Sequence, residues 1–145
     1  MTNEQTALYA YILFSGNDDF SLDTVTESLG VQPTSTWKVG DRVNTHTPLI
    51  RDYTAWKYET ETLETLVVED VIDPLLENFG GKVDIINDLK ERLNLKVQIA
   101  LVITMENGRT PGLVIWPAFS RFASSINAFI DIDMYVGAFS EDEEE

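Results

Sequence analysis

Apolar and polar positions alternate or recur along the chain in a pattern that predicts most of its elements. Residues 7–14 are apolar without a charge, and the length and aromatic content of the run predict a strand buried on both faces. Ser21 is placed to cap a short helix whose apolar positions Leu22, Val25 and Leu29 recur at helical spacing, with Gly30 as its stop. From Pro33 to about Tyr53 neither period is visible, and Gly40, Asn44 and Pro48 mark the stretch as a long loop. Loops beyond roughly 12–15 residues are uncommon and often functional.

Periodicity resumes at 55–60, where Trp56 and Tyr58 face one way and Lys57 and Glu59 the other, a half-buried strand. Val68, Val71, Ile72, Leu75, Leu76 and Phe79 form a helical stripe in which Pro74 predicts a late start or a kink. Gly80-Gly81 interrupts it, and Val83, Ile86, Leu89 and Leu93 continue it. Leu95 to Met105 alternates as the longest strand. Asn107-Gly108 is a hairpin signal between it and a strand at Gly112 to Trp116. Pro117 opens a helix carrying Phe119, Phe122 and Ile126, and Phe129 to Val136 closes the series as a strand.

The order is therefore β-α-loop-β-α-β-β-α-β, ferredoxin-like from the second strand onward. It predicts one α+β domain over 1–137, a largely antiparallel sheet of about five strands with helices on one face. That topology makes the second strand central although it carries Lys57 and Glu59, a conflict that a one-sided sheet removes in part.

Charge narrows the function. The chain has 10 Lys and Arg against 25 Asp and Glu, a net of −15 in 145 residues. This argues against nucleic acid, whose affinity comes from neutralising phosphates, and against an anionic membrane surface. No run approaches the roughly 18 apolar residues of a membrane span. The polar start lacks a basic n-region, so the chain is expected to be cytoplasmic. With no cysteine and one histidine, thiolate chemistry and sites of several imidazoles are excluded, and no cofactor or metal is called for. Five of the acidic residues, Glu141 to Glu145, form a terminal block, and 138–145 is expected to be a disordered tail. The body then carries −10. Within it, the window 38–57 reverses sign, with Lys38, Arg42, Arg51 and Lys57 against Asp41 and Asp52.

Three stretches carry a family resemblance: Leu29-Gly30-Val31-Gln32-Pro33-Thr34 followed by Trp37-Lys38-Val39-Gly40-Asp41, the strand opening Trp56-Lys57-Tyr58, and Ile130-Asp131-Ile132-Asp133-Met134-Tyr135. With the helix pair between them they resemble the bacterial family catalogued as domain of unknown function 4279, over about residues 8–137. The resemblance implies a single-domain α+β bacterial protein with no assigned activity. It supplies no catalytic residues, and the acidic tail lies outside it.

Several constellations carry chemistry of their own. Asp131 and Asp133 share a strand face beside Tyr135, as a carboxylate pair for a cation or acid/base work, or as the solvent side of a strand. His46 sits in a loop without a nucleophile elbow anywhere in the chain. Gly80-Gly81 follows a helix and reads as a break rather than a phosphate cradle. The basic window with its aromatic flanks, Trp37, Lys38, Arg42, Arg51, Trp56 and Lys57, suits a small anionic or planar ligand by pairing and stacking. Alternatively its cations pair with the domain's own acids while the tryptophans anchor the loop. Glu69, Asp70, Asp73, Glu77, Asp84, Asp88 and Glu91 line helix faces that are either solvated or a docking surface for a basic protein. The leading expectation is a non-enzymatic module that binds a protein partner through this acidic surface, such as an inhibitor or immunity-type partner of a basic effector. The alternative is a small-anion binding module built on the 33–57 loop.

Overall fold

The computed structural model describes residues 5–137, and the tail expected at 138–145 lies outside the described residues. β1 (Ala7–Gly16) is the centre of the sheet, flanked by β3 (Thr54–Glu59) and β5 (Lys96–Met105), both antiparallel to it. β2 (Ser35–Trp37) extends the sheet beyond β3, and β6 (Phe129–Val136) lies parallel to β5 at the other edge. The strand order is β2-β3-β1-β5-β6, with the two-residue β4 (Leu63–Glu64) against the start of β1. Among the described residues, four helices complete an α+β domain: α1 (Leu22–Leu29), α2 (Glu69–Phe79), α3 (Val83–Leu93) and α4 (Pro117–Ser125).

Local chemistry accounts for the helix ends. The Ser21 hydroxyl accepts from the Thr24 N–H at 3.2 Å, and Gly30 ends α1 in the left-handed region at φ 68°. α2 runs on through Pro74, whose carbonyl accepts an extra bond from the Asn78 side chain. Gly80 and Gly81 separate α2 from α3, which ends at a left-handed Asn94.

The helices lie on one face of the sheet, and the core follows from that. Leu8, Ala10, Ile12 and Phe14 on β1 and Val97, Ile99, Leu101 and Ile103 on β5 meet Val25, Val71, Ile72, Leu75, Phe79, Ile86 and Leu89 from the helices. Trp56 is fully buried among them, edge-on to Phe14 and Phe79, and its indole N–H donates to the Thr26 hydroxyl at 2.9 Å. The opposite face of β1, with Tyr9, Tyr11 and Leu13, is only half-buried. The apolar run is thus not buried on both faces, because one layer of helices covers one side.

Two departures from the expected order concern strand partners. The Asn107-Gly108 turn forms, with both residues at positive φ and the Arg109 N–H donating to the Glu106 carbonyl. No strand follows at 112–116, however. β1 and β6 already occupy both sides of β5, so a returning hairpin strand has no ladder to join, and Gly112 makes one isolated parallel bridge with Val67. The βαββαβ order is therefore not completed, and the connection through α4 delivers a parallel β6 instead. The central position falls to β1. β3, with Lys57 and Glu59, sits one place in from the edge, with those side chains on the uncovered face. Conversely, β2 forms inside the stretch read as loop.

Candidate functional site

The basic window is an ordered irregular hairpin. The Gly40 N–H donates to the Arg51 carbonyl, that of Arg51 to Asp41, and that of Val43 to Leu49. The hairpin packs its base on the uncovered sheet face, where Trp37 meets Tyr53 edge-on at 5.7 Å and the Arg51 guanidinium stacks 4.1 Å from the Trp37 ring.

Of its six candidate binding residues, only Trp37 and Arg51 are brought together. Trp56 points to the opposite side of the sheet, into the core. Lys38 is paired with Asp19 at 2.8 Å and lines a cleft it shares with Asp19, Asp23 and Glu27. Arg42 is exposed and donates to the Thr47 carbonyl. Lys57 pairs with Glu59 at 2.9 Å and lies 4.2 Å from the Tyr11 ring. Each cation has thus found an internal partner or an aromatic ring. Among the described residues, two donors at the hairpin base have no acceptor, Trp37 Nε1 and Arg51 Nε. His46 is exposed, its backbone N–H accepted by the Asn44 side chain.

A 380 Å³ cleft at the end of the uncovered face is lined by Ser15, Asn17, Asp52, Tyr53, Lys96 and Gln98, with none of the six candidates among its walls. Farther along the same face, Gln98 Nε2 donates to Asp131 Oδ2 at 3.1 Å. Asp131 is exposed and Asp133 half-exposed. Burial first, then the charges of Asp133 and Asp131, pushes the Tyr11 hydroxyl up to about 12. Tyr9 is also raised, by burial and then by Glu59. No group of three or more His, Asp or Glu among the described residues is placed to hold a metal ion.

The seven acidic residues of α2 and α3 are all exposed on the outer side of the helical layer. Asp88 is paired with Arg92, and Asp70 accepts from the Thr65 hydroxyl. The other five are exposed on the same two helices.

The most unusual surface is one that alternation alone does not reveal. β6 is an edge strand, and the helical layer stops short of it. Its helix-side residues Ile130, Ile132, Met134 and Val136 are 39%, 36%, 50% and 73% exposed. Beside them Leu113, Val114 and Ile115 are also exposed, over a floor of buried Val68, Leu101 and Phe119. The Val67–Gly112 bridge joins exposed Leu66 and Val67 to the same surface. Nine large aliphatic side chains, each about half exposed, present on the order of 800 Å², beyond the roughly 300–600 Å² of the largest patch on a typical monomer. The hollow at its centre measures only about 10 Å³, far below the roughly 300 Å³ at which small-molecule pockets begin. The surface is a shallow shelf rather than a pocket. A sequence reading turns these residues inward, because the same alternation serves a covered strand and an uncovered one.

No helix among the described residues is long and apolar enough to cross a membrane. The profile of the family described as "Domain of unknown function (DUF4279)" matches residues 6–137. No curated protein and no solved structure matches the chain.

Proposed function

We propose, from the premise that this chain belongs to the DUF4279 family, that it is a bacterial, cytoplasmic, non-enzymatic protein-binding module that docks its partner on the apolar shelf beside β6. One observation carries the reading: on the order of 800 Å² of exposed aliphatic surface, which matches the roughly 800 Å² that each partner contributes to a standard interface. An uncovered patch of that size on a chain of −15 charge is costly unless something covers it. The acidic faces of α2 and α3 supply steering rather than contact. Their exposed carboxylates favour a basic partner, such as a basic effector held by an inhibitor, and speed encounter by factors of about 10 to 1,000 at low salt.

The test is comparative capture from native lysate with the parent chain and with Val114→Asp/Ile115→Asp. Both positions are exposed in an irregular segment, so the double variant should fold normally. Loss of the same retained protein supports the shelf as the docking surface. Retention unchanged by the double variant refutes it.

A second reading is favoured by the two N–H donors at the hairpin base that have no acceptor. Buried donors without partners are rare, and an anion's oxygens satisfy them. In this reading the 33–57 hairpin holds a small anion at Arg51 and Trp37. Thermal shift with phosphate, sulfate and carboxylates tests it: a shift abolished by Arg51→Ala supports it, and silence across that panel ends it.

A further inference from the structure

We infer that the partner binds by adding an extended segment to the free edge of β6, and that this segment alternates basic with apolar residues; the inference rests on the protein-binding reading above. Among the described residues β6 pairs with β5 alone, so its outer side presents unpaired backbone groups. Alternate residues of a strand turn both N–H and C=O to the same side, which leaves about half of the β6 residues offering hydrogen bonds outward. Exposed edges are normally blunted by shortness, proline, a bulge or charged side chains. β6 has eight residues, no proline or glycine, and an unbroken register from Gln98–Phe129 to Met105–Val136. Only its side chains restrict what can pair there.

Those side chains define the partner. Ile130, Ile132 and Met134 project toward the shelf, and Asp131 and Asp133 project from the uncovered face. Among the described residues neither carboxylate belongs to an ion pair, and Asp131 uses one oxygen to accept from Gln98. A strand laid along β6 sets its own residues directly beside these. Opposite charges in such cross-strand positions stabilise the pair and like charges destabilise it. A second copy of β6 fails this requirement, because registers centred on the strand bring Asp133 against Asp131 or Asp133 of its mate. The carboxylates that reject a copy of the chain select a segment with Lys or Arg at every second position. Apolar residues between them continue the shelf.

The experiment uses the full chain and an eight-residue peptide alternating lysine with isoleucine, followed by calorimetry. Its controls are a peptide of the same composition with the lysines in one block, and the alternating peptide N-methylated at every second amide. The alternating peptide should bind about tenfold more tightly than either control, because only it can both pair and form the ladder. Asp131→Lys/Asp133→Lys, checked for a parental circular-dichroism spectrum and Tm, should weaken it by about tenfold and bind the corresponding glutamate peptide instead. Equal binding of the blocked or N-methylated peptide overturns strand addition. So does a concentration-dependent dimer in sedimentation that a monomer-restoring β6 substitution, Ile132→Asp, removes. If strand addition fails while Val114→Asp/Ile115→Asp still abolishes capture, the shelf reading stands without it. If both fail, the protein-binding reading falls as well.

Discussion

Replacing Trp56 by Phe separates a core tryptophan from a ligand-contacting one. Its indole is fully buried, edge-on to Phe14 at 5.5 Å and to Phe79 at 6.3 Å, and its N–H donates to the Thr26 hydroxyl at 2.9 Å. Phe keeps one ring and loses the other, a loss of about two methylene equivalents, or about 1.6 kcal/mol of transfer energy. The hydrogen bond contributes about 0.5–1.5 kcal/mol more, so Trp56→Phe should cost about 2–3 kcal/mol. Thr26→Val leaves the indole N–H buried without an acceptor, at about 1–3 kcal/mol. In the double variant that donor is gone, so the combined cost should fall short of the summed single costs by about 1 kcal/mol. Urea denaturation of the parent, both single variants and the double variant measures all four corners. A Trp56→Phe cost below about 1 kcal/mol, or strictly additive singles, would refute this account of the core. A ligand-contacting tryptophan behaves oppositely, with stability intact and binding lost.

Other substitutions test separate layers of the structure. Gly30→Ala forces a Cβ into the left-handed cap of α1, where no neighbour adds a clash, and should cost about 1–2 kcal/mol in urea midpoint analysis. Tyr11, pushed up to about 12 from an ordinary 10, keeps its proton longer in the folded state than in the unfolded one. Stability should therefore be intact below pH 10 and decline as pH rises from about 10 to 12, and Tyr11→Phe should flatten that decline in urea titrations at stepped pH. Lys38→Ala removes an ion pair whose two side chains are about half exposed, and its cost should stay within about 0.5 kcal/mol by thermal denaturation.

The elements most readily legible in the sequence carry their own signals. Ser21 and Gly30 bound α1 through bonds made within a few residues, and the apolar stripe of α3 needs only its own period. β5 declares itself by ten alternating residues. β2 does not, since its three residues become a strand only because Lys57, Trp56 and Ala55 lie opposite them. The apolar run at Gly112 to Trp116 carried the composition of a strand, yet the edge it needed was taken by β6. The basic window was visible as a charge reversal, but the pairing of Lys38 with Asp19 depends on a distant segment, whereas Lys57 pairs with Glu59 on its own strand. The shelf was the least legible feature. Ile130, Ile132 and Met134 alternate as core residues do, and only the reach of the helical layer decides whether they are covered.

The central position of β1 has a consequence for how the chain reaches its fold. A strand at the amino end is flanked by β5, so the register from Ser15–Lys96 to Ala7–Thr104 closes loops spanning most of the domain. Loop-closure entropy is lost before those pairings return any energy, and such non-local topologies fold slowly, on the order of milliseconds to seconds. During synthesis at about 5–20 residues per second, β1 leaves the ribosome seconds before its β5 partner exists. The run Leu8 to Phe14 must spend that interval without its β5 partner, sheltered only by whatever β3 and α2 contribute as they emerge. The nascent chain is therefore the form of this protein most exposed to aggregation, and substitutions that slow the β1–β5 pairing should lower soluble yield even where the finished domain tolerates them.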